Sequence, residues 1–184
     1  DLNIMKQNTE RLLSLTNQLL DFRKTESQGF RLNFAECNVT EVLKETYNRF
    51  TSLARQRELD FVLNVAEQDF YAHVNKEAFT KIVSNLLNNA VKYAETYVHV
   101  FLEMNGIGEK RMFYIRTVND GVIIPNEMKE EIFKPFVRFN EKEDGKVTTG
   151  TGIGLALSRS LAELHQGSLM MLEGEEANVF CLSL

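Results

Sequence analysis

Asn85, Asn89 and Lys92 stand at i, i+4 and i+7 in the segment TKIVSNLLNNAVKYA, residues 80–94. On a helix turning about 100° per residue, the three fall within about 60° of one another and stack along one line. That line carries two amide oxygens and an ammonium. Mg²⁺ prefers oxygen ligands, keeps several waters and is usually shared with substrate phosphates. A lysine one turn further on supplies a point charge for phosphate. The line can therefore hold a metal–phosphate unit, or it can be a solvated polar face. Against the second reading, Asn is a mediocre helix former, and a merely solvated face would favour Glu, Lys or Arg. Asn88 points about 60° away from Asn85 on the other side and has no assigned role.

A second candidate is GTGIGLALSRSLAELHQG, residues 150–167. Gly150, Gly152 and Gly154 lie just before and at the start of an expected helix. Backbone amides at a helix N-terminus bind anions, and glycine lets them approach closely. The run is not a Walker loop, because no Lys-Ser or Lys-Thr follows. It is a poor dinucleotide fingerprint too, because a polar loop precedes it. A third candidate is VNDGVIIP, residues 118–125, where Asn119, Asp120 and Gly121 interrupt apolar runs. Such a break marks a turn, but the immediate return to apolar residues suggests a wall as well.

The elements that must position these residues follow from periodicity. Met5, Leu12 and Leu19 repeat by heptads, as do Leu15 and Phe22, with Leu13 and Leu20 widening the stripe. Residues 1–26 therefore read as one helix with a bundle or coiled-coil face. Alternation predicts strands at 30–34, 61–65, 70–74, 98–104, 111–118, 168–173 and 179–184. Helices are expected from a Thr40 cap to about Gln56, from an Asn75 cap to about Ala94, over about 126–133, and from about Gly152 to His165. Residues 140–149 read as a polar loop. Strands alternating with helices, plus hairpins, give an α/β two-layer sandwich with a mixed sheet and helices on one face, preceded by one long helix. The expected division is 1–27 for that helix and 28–184 for the domain.

The chain has 184 residues, 43% of them apolar, and a net charge of −5, so nothing marks an overall nucleic-acid footprint. No apolar run reaches the length of a membrane span. Cys37 and Cys181 form no CxxC and read as reduced residues. The chain opens at Asp1 inside a helix, which suggests a piece of a longer protein.

Together these segments resemble the ATP-binding catalytic domain of bacterial sensor histidine kinases, whose Bergerat fold is shared with gyrase, the Hsp90 chaperones and MutL. NLLNNAVKY, residues 85–93, resembles the N box. VNDGVIIP stands where the first glycine box belongs. IFKPFVRF, residues 132–139, resembles the F box, and GTGIGL, residues 150–155, the second glycine box. Residues 1–26 resemble the second helix of the dimerisation and phosphoacceptor hairpin. Repair and chaperone ATPases of the same fold fit this helix and the F box less well.

The resemblance implies ATP and Mg²⁺ as cofactors. Asn89 would be the main metal ligand, with Asn85 helping. Lys92 would contact phosphate, Tyr93 would border the nucleotide, and Arg138 would reach the terminal phosphate. Gly150, Thr151, Gly152, Gly154 and Leu155 would wrap the phosphates, with 140–149 as the lid. Asn119, Gly121 and Ile124 would form the adenine floor, with Val122 and Ile123 in its wall. The implied activity is transfer of the γ-phosphate to a histidine on the first hairpin helix. His73, His99 and His165 lack the acceptor's sequence context, so that helix lies outside this chain. Implied partners are the phosphoacceptor helix of the same protein, a response regulator or receiver domain, and a second copy in a homodimer. No direct nucleic-acid contact is implied. The domain would be cytoplasmic, with the full-length protein anchored in the inner membrane.

Two positions depart from the pattern. Where the family's first glycine box has Asp-x-Gly-x-Gly, this chain has Asn119 and Ile123 at the Asp and second Gly positions. An Asn carbonyl can accept the adenine amino hydrogen bond, but the lost charge assistance costs roughly 1–1.5 kcal/mol. Ile123 cannot comfortably take a positive φ, so the turn must run differently, with Pro125 available to stiffen it. Ala177, Asn178 and Val179 replace a small polar set before Phe180. These departures keep an alternative open: a degenerate nucleotide-binding or scaffold module in a signalling dimer.

Overall fold

The computed structural model describes residues 2–27, 31–106, 112–139, 150–174 and 176–184. A long helix α1 (Leu2–Glu26) leads into β1 (Ala35–Asn38), α2 (Val39–Gln56), β2 (Asp60–Asn64), β3 (Tyr71–Val74) and α3 (Lys76–Tyr93). Then come β4 (Tyr97–Asn105), β5 (Met112–Asn119), two 3-10 turns (Asn126–Met128 and Glu131–Phe133), α4 (Gly154–Leu164), β6 (Ser168–Leu172) and β7 (Asn178–Ser183). The main sheet has the order β2-β4-β5-β7-β6. Only its β2–β4 pair is parallel, so the sheet is mixed as expected. β1 and β3 form a separate antiparallel ribbon.

The layers follow from the period-two pattern of the central strands. Val98, Val100 and Leu102 of β4, and Phe113, Ile115, Thr117 and Asn119 of β5, are buried on one face. Against it α3 turns Phe79, Ile82, Val83, Leu86, Leu87, Ala90 and Val91, all buried. Phe79 meets Phe113 edge-on at 5.7 Å between ring centroids. α2 and α4 flank α3, so its apolar face is locked and its polar line points away from the sheet.

Helix starts correct the sequence reading in one place and match it in another. Asn75 caps α3, its Oδ1 accepting from the Ala78 amide at 2.9 Å. α2 is capped by Asn38, which accepts from the Glu41 amide at 3.1 Å. Thr40 is buried instead, and its hydroxyl accepts from the Phe70 amide at 2.9 Å. The strand expected at 30–34 is displaced over residues 31–34, Phe30 lying outside the described residues: β1 begins at Ala35, and Phe34 packs edge-on against the His165 ring at 5.2 Å. The 126–133 helix resolves into two 3-10 turns, and α4 begins at Gly154 rather than Gly152.

His165 closes α4. Its Nδ1–H donates to the Leu161 carbonyl at 2.6 Å, while Nε2 accepts from the Asn75 amide at 3.2 Å. The Nε2 contact needs the neutral ring, and burial lowers its pKa. The residue serves the helix end as a donor, not as a cation, and ties the end of α4 to the cap of α3.

α1 divides its apolar residues between two surfaces. Phe22 is buried and Leu15 half-buried where the helix packs on α4, and Asp21 pairs with Lys81 of α3 at 2.9 Å. Met5, Leu12, Leu13, Leu19 and Leu20 stay exposed.

Candidate nucleotide-binding site

A cleft of about 400 Å³ opens beside α3, α4 and the end of β5. It collects Asn85, Asn89, Lys92, Tyr93, Asn119, Ile124, Arg138, Gly150, Thr151, Gly152, Gly154 and Leu155. Of the candidate residues Gly121 and Ile123 are not on its surface; Gly121 is buried. A second cavity of about 440 Å³ lies below β3 and the far ends of β4 and β5, lined by none of these residues.

At one end of the cleft, α3 presents its polar line. Asn85 Nδ2 donates to the Gly154 carbonyl at 3.2 Å and to Ser158 Oγ at 3.1 Å. The amide is thereby oriented, and its Oδ1 has no hydrogen bond among the described residues. Asn89 is half-buried, and its side chain also makes none. Lys92 Nζ donates to the Tyr93 hydroxyl at 2.7 Å and lies 4.4 Å from that ring's centroid. Arg57, reaching from the end of α2, donates to the carbonyls of Val91, Lys92 and Ala94. That contact satisfies the orphan carbonyls at the end of α3 and fixes the turn bearing Lys92 and Tyr93.

The glycine segment faces this line. Gly152 adopts φ +69°, and a Cβ there would lie 2.8 Å from the Phe136 backbone. Phe136, itself at φ +67°, donates its amide to the Gly152 carbonyl at 2.9 Å. Thus the 150–155 segment and the 132–139 segment are clasped back to back, and Arg138 is brought to the cleft. No side chain caps the N-terminus of α4. Its first amides are groups of the kind that bind anions. Thr151 Oγ1 takes a bond from the Ile153 amide at 3.1 Å and donates to Gln18 Oε1 of α1 at 2.8 Å. The loop at 140–149 lies outside the described residues.

At the other end sits the 118–125 stretch. Asp120 turns away from the cleft and staples the α3–β4 connection. It accepts from the amides of Glu95 (3.0 Å), Thr96 (2.9 Å) and Tyr97 (3.1 Å), and from the Thr96 hydroxyl. Partial burial works to raise its pKa, but these bonds outweigh it and hold the carboxyl at about 2. Gly121 passes so close to α3 that an added Cβ would stand 1.9 Å from the Tyr93 carbonyl oxygen. Ile123 is absent from the positive-φ residues, so the turn does run without a second glycine. Asn178 holds it in shape: Oδ1 accepts from the Ile124 amide at 2.9 Å, and Nδ2 donates to the carbonyls of Val122 (3.0 Å) and Gly121 (3.4 Å). Val122 and Ile124 line the cleft, whereas Ile123 does not. Asn119 lies directly opposite Asn178 across β5 and β7. It is 3% exposed, and among the described residues its Nδ2 has no partner.

Residues 74–183 match the family described as histidine kinase-, DNA gyrase B- and HSP90-like ATPase, HATPase_c. The chain belongs to this family. A curated relative, the sensor histidine kinase WalK of Bacillus subtilis (strain 168), is 26% identical over 168 residues, covering 91% of this chain and 27% of its own length. This chain therefore spans about a quarter of that relative. The fold is also that of full-length ShkA solved in complex with AMPPNP, with a TM-score of 0.82 at 21% identity over 98% of this chain and 37% of that one. The histidine kinase ThkA, solved in complex with the response regulator TrrA, superposes with a TM-score of 0.74 at 23% identity, over 99% of this chain and 49% of that one. The chain is an ATP-binding catalytic domain of the histidine-kinase type.

At this site of the HATPase_c chain, sequence reasoning missed three residues. Asn88 also lines the cleft; its place on the helix wheel made it a near neighbour of the metal line. Asn178, noted in the sequence only as a departure from the family pattern, and Gln18 reach the site from distant elements. None of the three histidines lines the cleft.

Proposed function

We propose that the domain binds Mg-ATP in this cleft and presents the γ-phosphate to a histidine on a helix outside this chain, as the catalytic part of an autophosphorylating kinase. The observation that carries this reading is the convergence of the α3 polar line, the uncapped α4 terminus and Asn119 on a single cleft. Asn89, with Asn85 beside it, has the oxygen donors that Mg²⁺ takes in partnership with phosphates. The bound ion would neutralise phosphate charge and fix the phosphate geometry. Lys92 and the first amides of α4 hold the phosphates by charge and by hydrogen bonding. Arg138 is the residue we assign to the terminal phosphate. Asn119 takes the base at the closed end of the cleft.

The exposed stripe Met5, Leu12 and Leu19 on α1 fits the seam of a hairpin dimer. On this reading residues 1–27 are hairpin and 28–184 the ATP-binding unit. A response regulator, as in the ThkA complex, would then receive the phosphate. Among the described residues no helix is long and apolar enough to cross a membrane, and we assign any membrane anchor to another part of the protein and this domain to the cytoplasmic side.

The test is transfer of radiolabelled γ-phosphate in the full-length protein. Acid-labile label on a histidine is expected in the wild type and not in the Asn89→Ala, Lys92→Ala double variant. Retained autophosphorylation in that variant would refute the assigned site.

A further inference from the structure

The two asparagines that face each other across β5 and β7 are held very differently. Asn178 is fixed in one amide orientation, because Oδ1 accepts from the Ile124 amide while Nδ2 donates to Val122 and Gly121 carbonyls. A half-turn of its amide would set donor against donor and acceptor against acceptor. Asn119 is as buried, at 3% exposure. Yet among the described residues neither end of its amide makes a hydrogen bond, and Nδ2 is enclosed without an acceptor. Rotating it by half a turn therefore costs no hydrogen bond. Thr117, two residues earlier on the same face of β5, is 1% exposed, and its hydroxyl is also unpartnered. Buried polar groups without partners are few in folded proteins and call for a reason. Here two such groups, each able both to donate and to accept, share one face of β5, and Asn119 lines the base end of the cleft.

We propose that Asn119 makes the base end accept 6-oxopurine as well as 6-aminopurine nucleotides. The inference rests on the nucleotide reading above and concerns only which purine the site takes. The 6-amino group of adenine donates, whereas O6 of guanine or hypoxanthine accepts. An amide meets the first with its carbonyl and the second, after a half-turn, with its NH₂. A carboxylate in the same place can only accept, so it would select the amino purine and repel O6. Sites built to pair one substrate group reject an analogue lacking it by orders of magnitude, because a buried polar group is left unpaired. Asn119 escapes that penalty by rotating, and Asn178 cannot interfere because both ends of its amide are already engaged by the 121–124 turn.

The experiment compares Mg-ATP with Mg-ITP by titration calorimetry on this chain. ITP differs from ATP at the 6-position and N1 and adds no 2-amino group. The two dissociation constants should agree within about tenfold in the wild type. In Asn119→Asp, ATP should bind tighter and ITP weaker, widening the ratio by at least about tenfold. ATP binding with ITP rejected by more than about 100-fold in the wild type would overturn the proposal while leaving the nucleotide reading intact. An unchanged ratio in Asn119→Asp would overturn it as well. If neither nucleotide binds, the nucleotide reading itself fails and takes this inference with it. Should the variant fail to fold by circular dichroism, the wild-type ratio alone decides.

Discussion

The end of the cleft we assign to phosphate and the end we assign to the base are built on opposite principles. At the phosphate end, most of the residues we assign to ligand come from one helix and one loop, with Arg138 added from the 132–139 segment. Asn85, Asn89 and Lys92 stand on α3, while Gly150 to Leu155 face them. At the base end, a turn without its second glycine is held by Asn178, a side chain from another strand. Its carboxylate, Asp120, is spent on the α3–β4 connection. The phosphate end is therefore locally encoded and the base end is encoded by tertiary contact. The first should fail by losing ligand and the second by losing shape.

The sharpest break comes from Asn89→Ala. It removes the proposed metal donor without touching the core, so Mg-ATP affinity should fall by about 100-fold with the melting temperature unchanged; calorimetry and a thermal melt decide it. Next is Asp120→Ala. Loss of hydrogen bonds to a charged acceptor should cost about 2 kcal/mol of stability, read by urea unfolding. The sign with pH follows from its lowered pKa. The contribution is fully present above the ordinary value of 3.8 and is lost as pH falls through about 2. Wild type and variant should therefore converge in stability as pH falls through that window. Asn178→Ala should slacken the 121–124 turn and weaken nucleotide about tenfold. Unlike Asn89→Ala, it should also lower the melting temperature. If Asn178→Ala moved neither, the two ends would not differ as described. The smallest effect is expected from Gln18→Ala, which removes one neutral hydrogen bond to Thr151, about 1 kcal/mol or less.

The same division explains what could be read from the chain. The polar line of α3 was legible because helical periodicity alone aligns residues i, i+4 and i+7, and its apolar face, from Phe79 to Val91, is buried as that periodicity requires. The Asn75 cap and the glycine segment are equally local. The clasp of Asn178 on Val122 and Ile124 depends on the β5–β7 register, which no local spacing reveals. Thr40 and Asn38 are both good caps, and only the contact of Thr40 with the Phe70 amide decides between them. The alternating Phe30, Leu32 and Phe34 looked like a strand, but Leu32 and Phe34 pack without laddering, and pairing with β3 begins at Ala35. On α1 the apolar stripe was visible, but not its division. Phe22 serves this domain while Leu12 and Leu19 stay exposed, which only the packing of α4 settles.

The central claim is that the α3 line holds a metal–phosphate unit. Titrating the chain with ATP in the presence of Mg²⁺, and again with the metal chelated, tests it most directly. The account predicts saturable binding of one nucleotide per chain that weakens strongly when magnesium is withdrawn. Absence of magnesium-dependent binding at millimolar nucleotide would contradict it, and would leave the degenerate scaffold as the better reading of this chain.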